Sequence, residues 1–138
     1  MRPVLLDSSV IVGWLDRRDR NHGRCAAALA KLSPPLVTCE AVIVESCYLL
    51  HAIAGAQDDI LENVANGTFR ISFQLAGCAA QIGQIVRKYR DTPADFADAC
   101  LIQMADELDT GDILTLDSDF AHYRWRRNRP FHLLIPLE

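Results

Sequence analysis

Short apolar runs alternate along the chain with segments whose apolar residues recur at helical spacing, and this alternation leaves few folds open. Val4-Leu5-Leu6, Leu36-Val37-Thr38-Cys39, Phe69 to Phe73, Ile113-Leu114-Thr115-Leu116 and Phe131 to Ile135 read as five strands. Between them, Ser8 or Ser9 caps a helix carrying Val10, Ile11, Trp14 and Leu15 on one face, and Asn21 caps another that stops at Ser33-Pro34-Pro35. Further helices are expected over 41 to about 54 with Gly55 as the stop, around Asp58 to Val64, over 75 to 90, and from Thr92-Pro93-Ala94-Asp95 to about Leu108. In the last of these Thr92 is the expected cap, with Pro93 in the first turn and Asp95 closing a capping box. Strands alternating with helices predict an α/β fold, a central parallel sheet of about five strands with helices on both faces. With 138 residues, half of them hydrophobic, and no linker or repeat, residues 1–138 read as one domain.

Composition removes several function classes. The longest unbroken apolar run, Cys25 to Ala30, is far short of the roughly 18 residues a membrane-spanning helix needs. The apolar stretch after Met1-Arg2-Pro3 is interrupted at Asp7, so no signal peptide is expected and the cytoplasm is the expected compartment. A net charge of -4 argues against nucleic-acid binding by bulk attraction, so any such role must reside in a local site. Cys25, Cys39, Cys47, Cys78 and Cys100 are scattered without a Cys-x-x-Cys pair, and read as reduced, buried thiols rather than zinc ligands. His22, His51, His122 and His132 form no pattern, and Trp14 reads as core.

The chemistry is carried by acids. In open parallel sheets ligands bind outside the carboxyl ends of the strands. Asp7 ends the first strand and Asp117 the fourth, either as a helix cap or as part of a shared acidic site. Glu45 interrupts the apolar run Ala41 to Leu50, where an unpaired buried carboxylate would be costly, while Glu40 suits the N-terminal end of that helix. Asp95 and Asp98 share a helix face, and Asp98 sits among Phe96, Ala97, Ala99 and Cys100. Several carboxylates converging on one pocket repel unless a cation neutralises them. Oxygen ligation without His or Cys suits Mg²⁺ or Mn²⁺, metals suited to phosphodiester hydrolysis.

The ordered set Leu5-Leu6-Asp7-Ser8-Ser9, Val44-Glu45, Asp95-Phe96-Ala97-Asp98-Ala99 and Leu114-Thr115-Leu116-Asp117-Ser118-Asp119-Phe120 resembles the PIN domain, and within it the toxin ribonucleases of VapBC-type toxin–antitoxin operons. The resemblance implies an endoribonuclease dependent on Mg²⁺ or Mn²⁺, whose acidic quartet maps onto Asp7, Glu45, Asp98 and Asp117 as catalytic and metal-binding residues. Asp95 matches an additional acid of the subgroup with an Asp-x-x-Asp-Ala pattern, and Asp119 an accessory one. Ser8 or Ser9 matches a small hydroxyl residue that supports the site, and both are carried as substrate-binding candidates. The resemblance also implies an RNA substrate, a homodimer and a small cognate antitoxin that inserts into the active-site groove.

Other classes fit less well. Haloacid-dehalogenase-like phosphatases need a second Asp two residues after the first, where this chain has Ser9. A response-regulator receiver needs a late Lys, and the chain has only Lys31 and Lys88. An RNA-processing PIN nuclease outside a toxin system and a non-catalytic PIN binding module remain as alternatives. One segment is individual: Tyr123-Arg124-Trp125-Arg126-Arg127-Asn128-Arg129 follows Asp117 closely. There Arg126 and Arg127 are candidates to pair with RNA phosphates, and Tyr123 or Trp125 to stack an unpaired base. The alternative for this segment is a surface turn with Trp125 packed inward.

Overall fold

The computed structural model of the chain describes residues 2–33, 35–92 and 94–138. Five strands form one parallel sheet: β1 (Val4–Leu6), β2 (Leu36–Thr38), β3 (Phe69–Ile71), β4 (Asp112–Leu114) and β7 (His132–Leu133). Their order is β3-β2-β1-β4-β7, so the chain builds outward from β1 on one side and then the other. Every residue of β1 and β2 is buried, which requires cover on both faces of the sheet. That cover comes from α1 (Ser8–Leu15), α2 (His22–Lys31), α3 (Glu40–Leu49), α4 (Ala56–Ala65), α5 (Ala79–Lys88) and α6 (Phe96–Leu108). The expected α/β class is the observed one, and β3, whose Arg70 is exposed, lies at the sheet edge as its apolar–polar alternation suggests.

The departures from the expected elements have local causes. Asp7, not Ser8 or Ser9, caps α1, its side chain accepting from Ser8 N–H. Asn21 stands at the N-cap of α2 without a side-chain cap bond, and Pro34 of the expected stop lies outside the described residues. α3 ends at Leu49, and Gly55 starts α4 instead of stopping α3, its φ of 79° being one that a side chain disfavours. The expected helix over 75 to 90 divides into a short 3-10 turn, Leu75–Gly77, and α5. α6 begins at Phe96, capped by Asp95 rather than Thr92, because the Asp95 carboxylate accepts from Asp98 N–H at 2.8 Å. Pro93 lies outside the described residues.

Two further corrections concern the end of the chain. β4 stops at Leu114, since the N–H groups of Leu116 and Asp117 turn from the sheet to the hydroxyls of Ser9 (2.9 Å) and Thr115 (3.0 Å). Residues 123–129, read as an RNA-gripping segment or a surface turn, contain β5 (Arg124–Trp125), a turn and the start of β6 (Arg129–Pro130), which pair as a small antiparallel hairpin. The hairpin lies along α6, and Trp125 seats its indole against Gly111, where an added Cβ would collide with Trp125 Nε1. Only glycine admits that approach. Trp14, expected in the core, is half-buried and packs edge-on to the buried Phe69, and four of the five free cysteines are buried, with Cys47 half-buried.

Candidate active site

β1 and β4 are neighbours, with Leu6 in register with Leu114. The connections after β1 lead to β2 and β3 on one side, whereas β4 leads to β7 on the other. The crevice outside the carboxyl ends of β1 and β4 is therefore the switch point at which doubly wound sheets bind ligands. The residues that enter this crevice are the ones immediately after the two strands: Asp7, Ser8 and Ser9 from one, Thr115 and Asp117 from the other.

Asp7 is 3% exposed and fully engaged. Its Oδ1 accepts from Ser8 N–H (2.8 Å), and its Oδ2 from the hydroxyls of Thr115 (2.6 Å) and Ser9 (3.2 Å). Ser9 and Thr115 each also take a backbone N–H of the strap leading to Asp117, so the two hydroxyls tie the two strand ends together. Burial pushes the Asp7 carboxyl up to about 6 despite these donors, and the Asp117 charge adds to the rise. The Ser8 hydroxyl donates to Glu45 Oε1, bringing the half-buried acid of α3 to the edge of the same group.

Asp98 is the most perturbed of the aspartates. It is 7% exposed in the first turn of α6. Burial pushes it up to about 8, and the charges of Asp95, Asp7 and Asp117 push the same way. Its Oδ2 accepts from the buried Tyr123 hydroxyl at 3.3 Å. Burial and the surrounding carboxylates hold the Tyr123 phenol above its ordinary range, so it remains a donor. Asp117 is half-buried at the head of a 3-10 turn, Ser118–Ala121, and accepts from Asp119 N–H (2.9 Å). Burial, with the charges of Asp119 and Asp95, holds it above the usual carboxylate range. Asp95 is exposed and Asp119 half-buried at the rim.

The charge of Asp117 thus reaches Asp7, and those of Asp7 and Asp117 reach Asp98, with Glu45 joined to Asp7 through Ser8. Among the described residues no three His, Cys, Asp or Glu side chains stand in a ready-made cage for a metal. The donor chemistry nevertheless fits Mg²⁺ or Mn²⁺. All the candidates are carboxylates, and Mg²⁺ commonly takes one or two carboxylates while keeping waters.

Two contributors carry little signal in the sequence. Thr115 reads as a strand residue, though its place two before Asp117 is the available signal. Tyr123, a base-stacking candidate by sequence, is instead buried against Asp98, and its ring packs edge-on to Tyr89 and Phe120. Trp125, 6% exposed, is likewise inside. Arg126 and Arg127 form the hairpin turn with φ of 45° and 71°. Arg126 is held by Asp106 and Asp109 at the C-terminal end of α6, whereas Asp98 is at its N-terminal end. The structure does not bring these two arginines to the carboxylates.

Comparisons with known proteins bear on the family and the fold. The PIN domain model matches residues 4–126. The ribonuclease VapC26 of Mycobacterium tuberculosis is 29% identical over 120 residues, covering 83% of this chain and 86% of that protein. The crystal structure of VapC20 of Mycobacterium tuberculosis, described as a toxin cleaving the sarcin–ricin loop, superposes with a TM-score of 0.81 at 19% identity. That match covers 92% of this chain and 99% of the other, and it speaks for the fold. With the matched region running from β1 into the hairpin and the acids gathered at the switch point, the chain belongs to the PIN domain family.

Proposed function

We propose that residues 1–138 act as an endoribonuclease that hydrolyses RNA phosphodiester bonds with Mg²⁺ or Mn²⁺, as the toxin of a toxin–antitoxin pair. The observation that carries this reading is the buried Asp98 carboxyl, held near 8 by burial and by the negative charges of Asp95, Asp7 and Asp117. Such an arrangement is unfavourable for the metal-free protein and favourable once a cation is present, which is a signature of a functional site. The similarity to VapC26, a ribonuclease, supports the substrate class.

Asp7, Asp98 and Asp117 would hold the cation, with Glu45 beside them and Asp95 and Asp119 at the rim. A divalent cation there supplies Lewis-acid stabilisation of the negative charge that develops on the phosphodiester. The chain's own residues orient the acids. Thr115 and Ser9 hold Asp7 Oδ2, Tyr123 holds Asp98 Oδ2, and Ser8 holds Glu45. Asp95 fixes the first turn of α6 through Asp98 N–H and so sets where the Asp98 carboxyl emerges.

The acidic crevice also supports the partner assignment. An antitoxin segment bearing Arg or Lys would pair with these carboxylates and compete with metal. Exposed Val44, Tyr48 and Leu49 on α3 and Phe96 on α6 give the proposed homodimer an apolar face next to Glu45 and Asp95. Among the described residues no helix is long and apolar enough to cross a membrane.

The test is cleavage of end-labelled RNA by the wild-type protein and by Asp98→Asn, with Mg²⁺, with Mn²⁺ and with EDTA. Cleavage by the wild type with either metal, and a loss of at least about a hundredfold in Asp98→Asn, is expected. Undiminished cleavage in EDTA or in Asp98→Asn would overturn the reading. RNA binding without cleavage under any metal would move the chain to the non-catalytic binding modules.

A further inference from the structure

The chain has a second cluster of arginines, Arg17, Arg18, Arg20 and Arg24, between α1 and the start of α2. Two of them converge on one carboxylate. Arg20 Nη2 lies 3.2 Å from Glu138 Oε2, and Arg24 Nη1 lies 2.9 Å from Glu138 Oε1. Arg24 is oriented before it meets Glu138: its Nη1 also donates to Asn21 Oδ1 at 3.0 Å and its Nη2 to the Pro136 carbonyl. These groups line a cleft of about 250 Å³ whose wall includes Leu116 and Ser118, the residues on either side of Asp117.

We propose that Arg20 and Arg24 form a clamp for a backbone phosphate of single-stranded RNA beside Asp117, and that Glu138 occupies it until RNA displaces it. This proposal rests on the ribonuclease function proposed for the crevice. A carboxylate bridging two guanidiniums presents its oxygens much as a phosphodiester does, and the planar fork of Arg suits both. The cleft adjoins the strap that carries Asp117, and an acidic chain with an acidic crevice needs cations near that crevice to hold a polyanion. Arg126, at the far end of α6 beside Asp106 and Asp109, does not meet that need. The occupant is also easy to displace. The Arg20 side chain is 80% exposed and that of Glu138 56%, and ion pairs so open to water are weak.

The experiment measures binding apart from catalysis. A fluorescein-labelled single-stranded RNA is titrated with full-length protein in EDTA, by anisotropy, over a series of NaCl concentrations. The variants are Arg20→Gln, Arg20→Lys and Glu138→Gln, with Arg24→Gln added where a thermal melt shows it folded. Arg20 serves as the main probe, because its side chain is largely in water and its partner Glu138 is also exposed. Arg20→Gln should weaken binding about three- to tenfold and make the plot of log K against log salt shallower by about 0.7, the value for one phosphate no longer neutralised. Arg20→Lys should fall between the two, keeping the charge without the fork. Glu138→Gln should tighten binding severalfold, because the internal competitor loses its charge. An ion pair that merely anchors the tail would leave RNA affinity unmoved in Glu138→Gln. Unchanged affinity and salt slope in both Arg20→Gln and Glu138→Gln, in a protein whose wild type binds and cleaves RNA, would overturn the clamp. A wild type that neither binds nor cleaves RNA would overturn the ribonuclease reading and the clamp with it.

Discussion

At the scale of single residues, the site is held by hydroxyls as much as by acids. Thr115 donates to Asp7 at 2.6 Å and accepts the Asp117 N–H at 3.0 Å, so one side chain sets the spacing of two carboxylates from different strands. Thr115→Val keeps the volume and β-branching but removes both bonds. The expected outcome is a tenfold to hundredfold loss of metal-dependent cleavage, the usual scale for residues that orient metal ligands, with Thr115→Ser close to wild type. Kinetics of RNA cleavage alongside thermal melts check this, and full activity in Thr115→Val would refute it. Asp95 shows how far single residues were legible. Its spacing from Asp98 reads as one helix face, but Asp95 stands just before the helix as its exposed cap while Asp98 is buried in the first turn. The competition between Thr92 and Asp95 for the cap was decided by reach: the Asp95 carboxylate meets Asp98 N–H at 2.8 Å and starts the helix there. Spacing alone does not distinguish the two, because both have capping side chains.

Elements explain where the arginine-rich segment goes. β5 and β6 pair as a hairpin whose aromatic residues face inward, Tyr123 onto Asp98 near the start of α6 and Trp125 onto Gly111 beyond its end. Burying those two rings outweighs any gain from exposing them to a base, since each removes a large apolar area from water. Arg126 and Arg127, between the two strands, are consequently displayed at the turn, away from the crevice. Gly111 is the hinge of this arrangement. Gly111→Ala would drive a methyl into the Trp125 indole and should destabilise the protein by about 1–3 kcal/mol, as overpacking does. Urea denaturation should show a lower midpoint with an unchanged m value, and an unshifted midpoint would mean the hairpin moves without penalty. The strand positions themselves were readable from their apolar runs. The end of β4 was not, because the side chains of Ser9 and Thr115 took the N–H groups that would have extended it.

Across the whole molecule, the crowding of acids makes metal-free stability depend on pH in a defined direction. Asp98 near 8 and Asp7 near 6 in the folded chain compare with about 3.9 for an unfolded aspartate. Between roughly pH 4 and pH 8 the folded state therefore keeps protons that the unfolded state has released, and stability falls as pH rises through that window. The contribution is fully present below the unfolded value and gone above about 8. In EDTA, the melting temperature of the wild type should decline from pH 5 to pH 8 more steeply than that of Asp98→Asn, and added Mg²⁺ should raise it most at the upper end. Parallel profiles for wild type and variant would count against mutual repulsion at the site. The alternation of apolar runs with helical patterns was enough to set the class of fold, because burial on both faces of a parallel sheet writes itself into each strand locally. Glu45 and Asp98 stood out as acids among apolar neighbours, where acids are costly, and Asp7 and Asp117 as acids ending two strands. Their common surroundings, the hydroxyl ties from Ser9 and Thr115, and the pairing of Arg20 and Arg24 with Glu138 are contacts between residues as much as 118 positions apart. No local pattern encodes such contacts. They arise when β1 and β4 pair and carry their carboxyl ends to one crevice, while Arg20 and Arg24 share a cleft with Leu116 and Ser118 and Arg126 sits at the far end of α6.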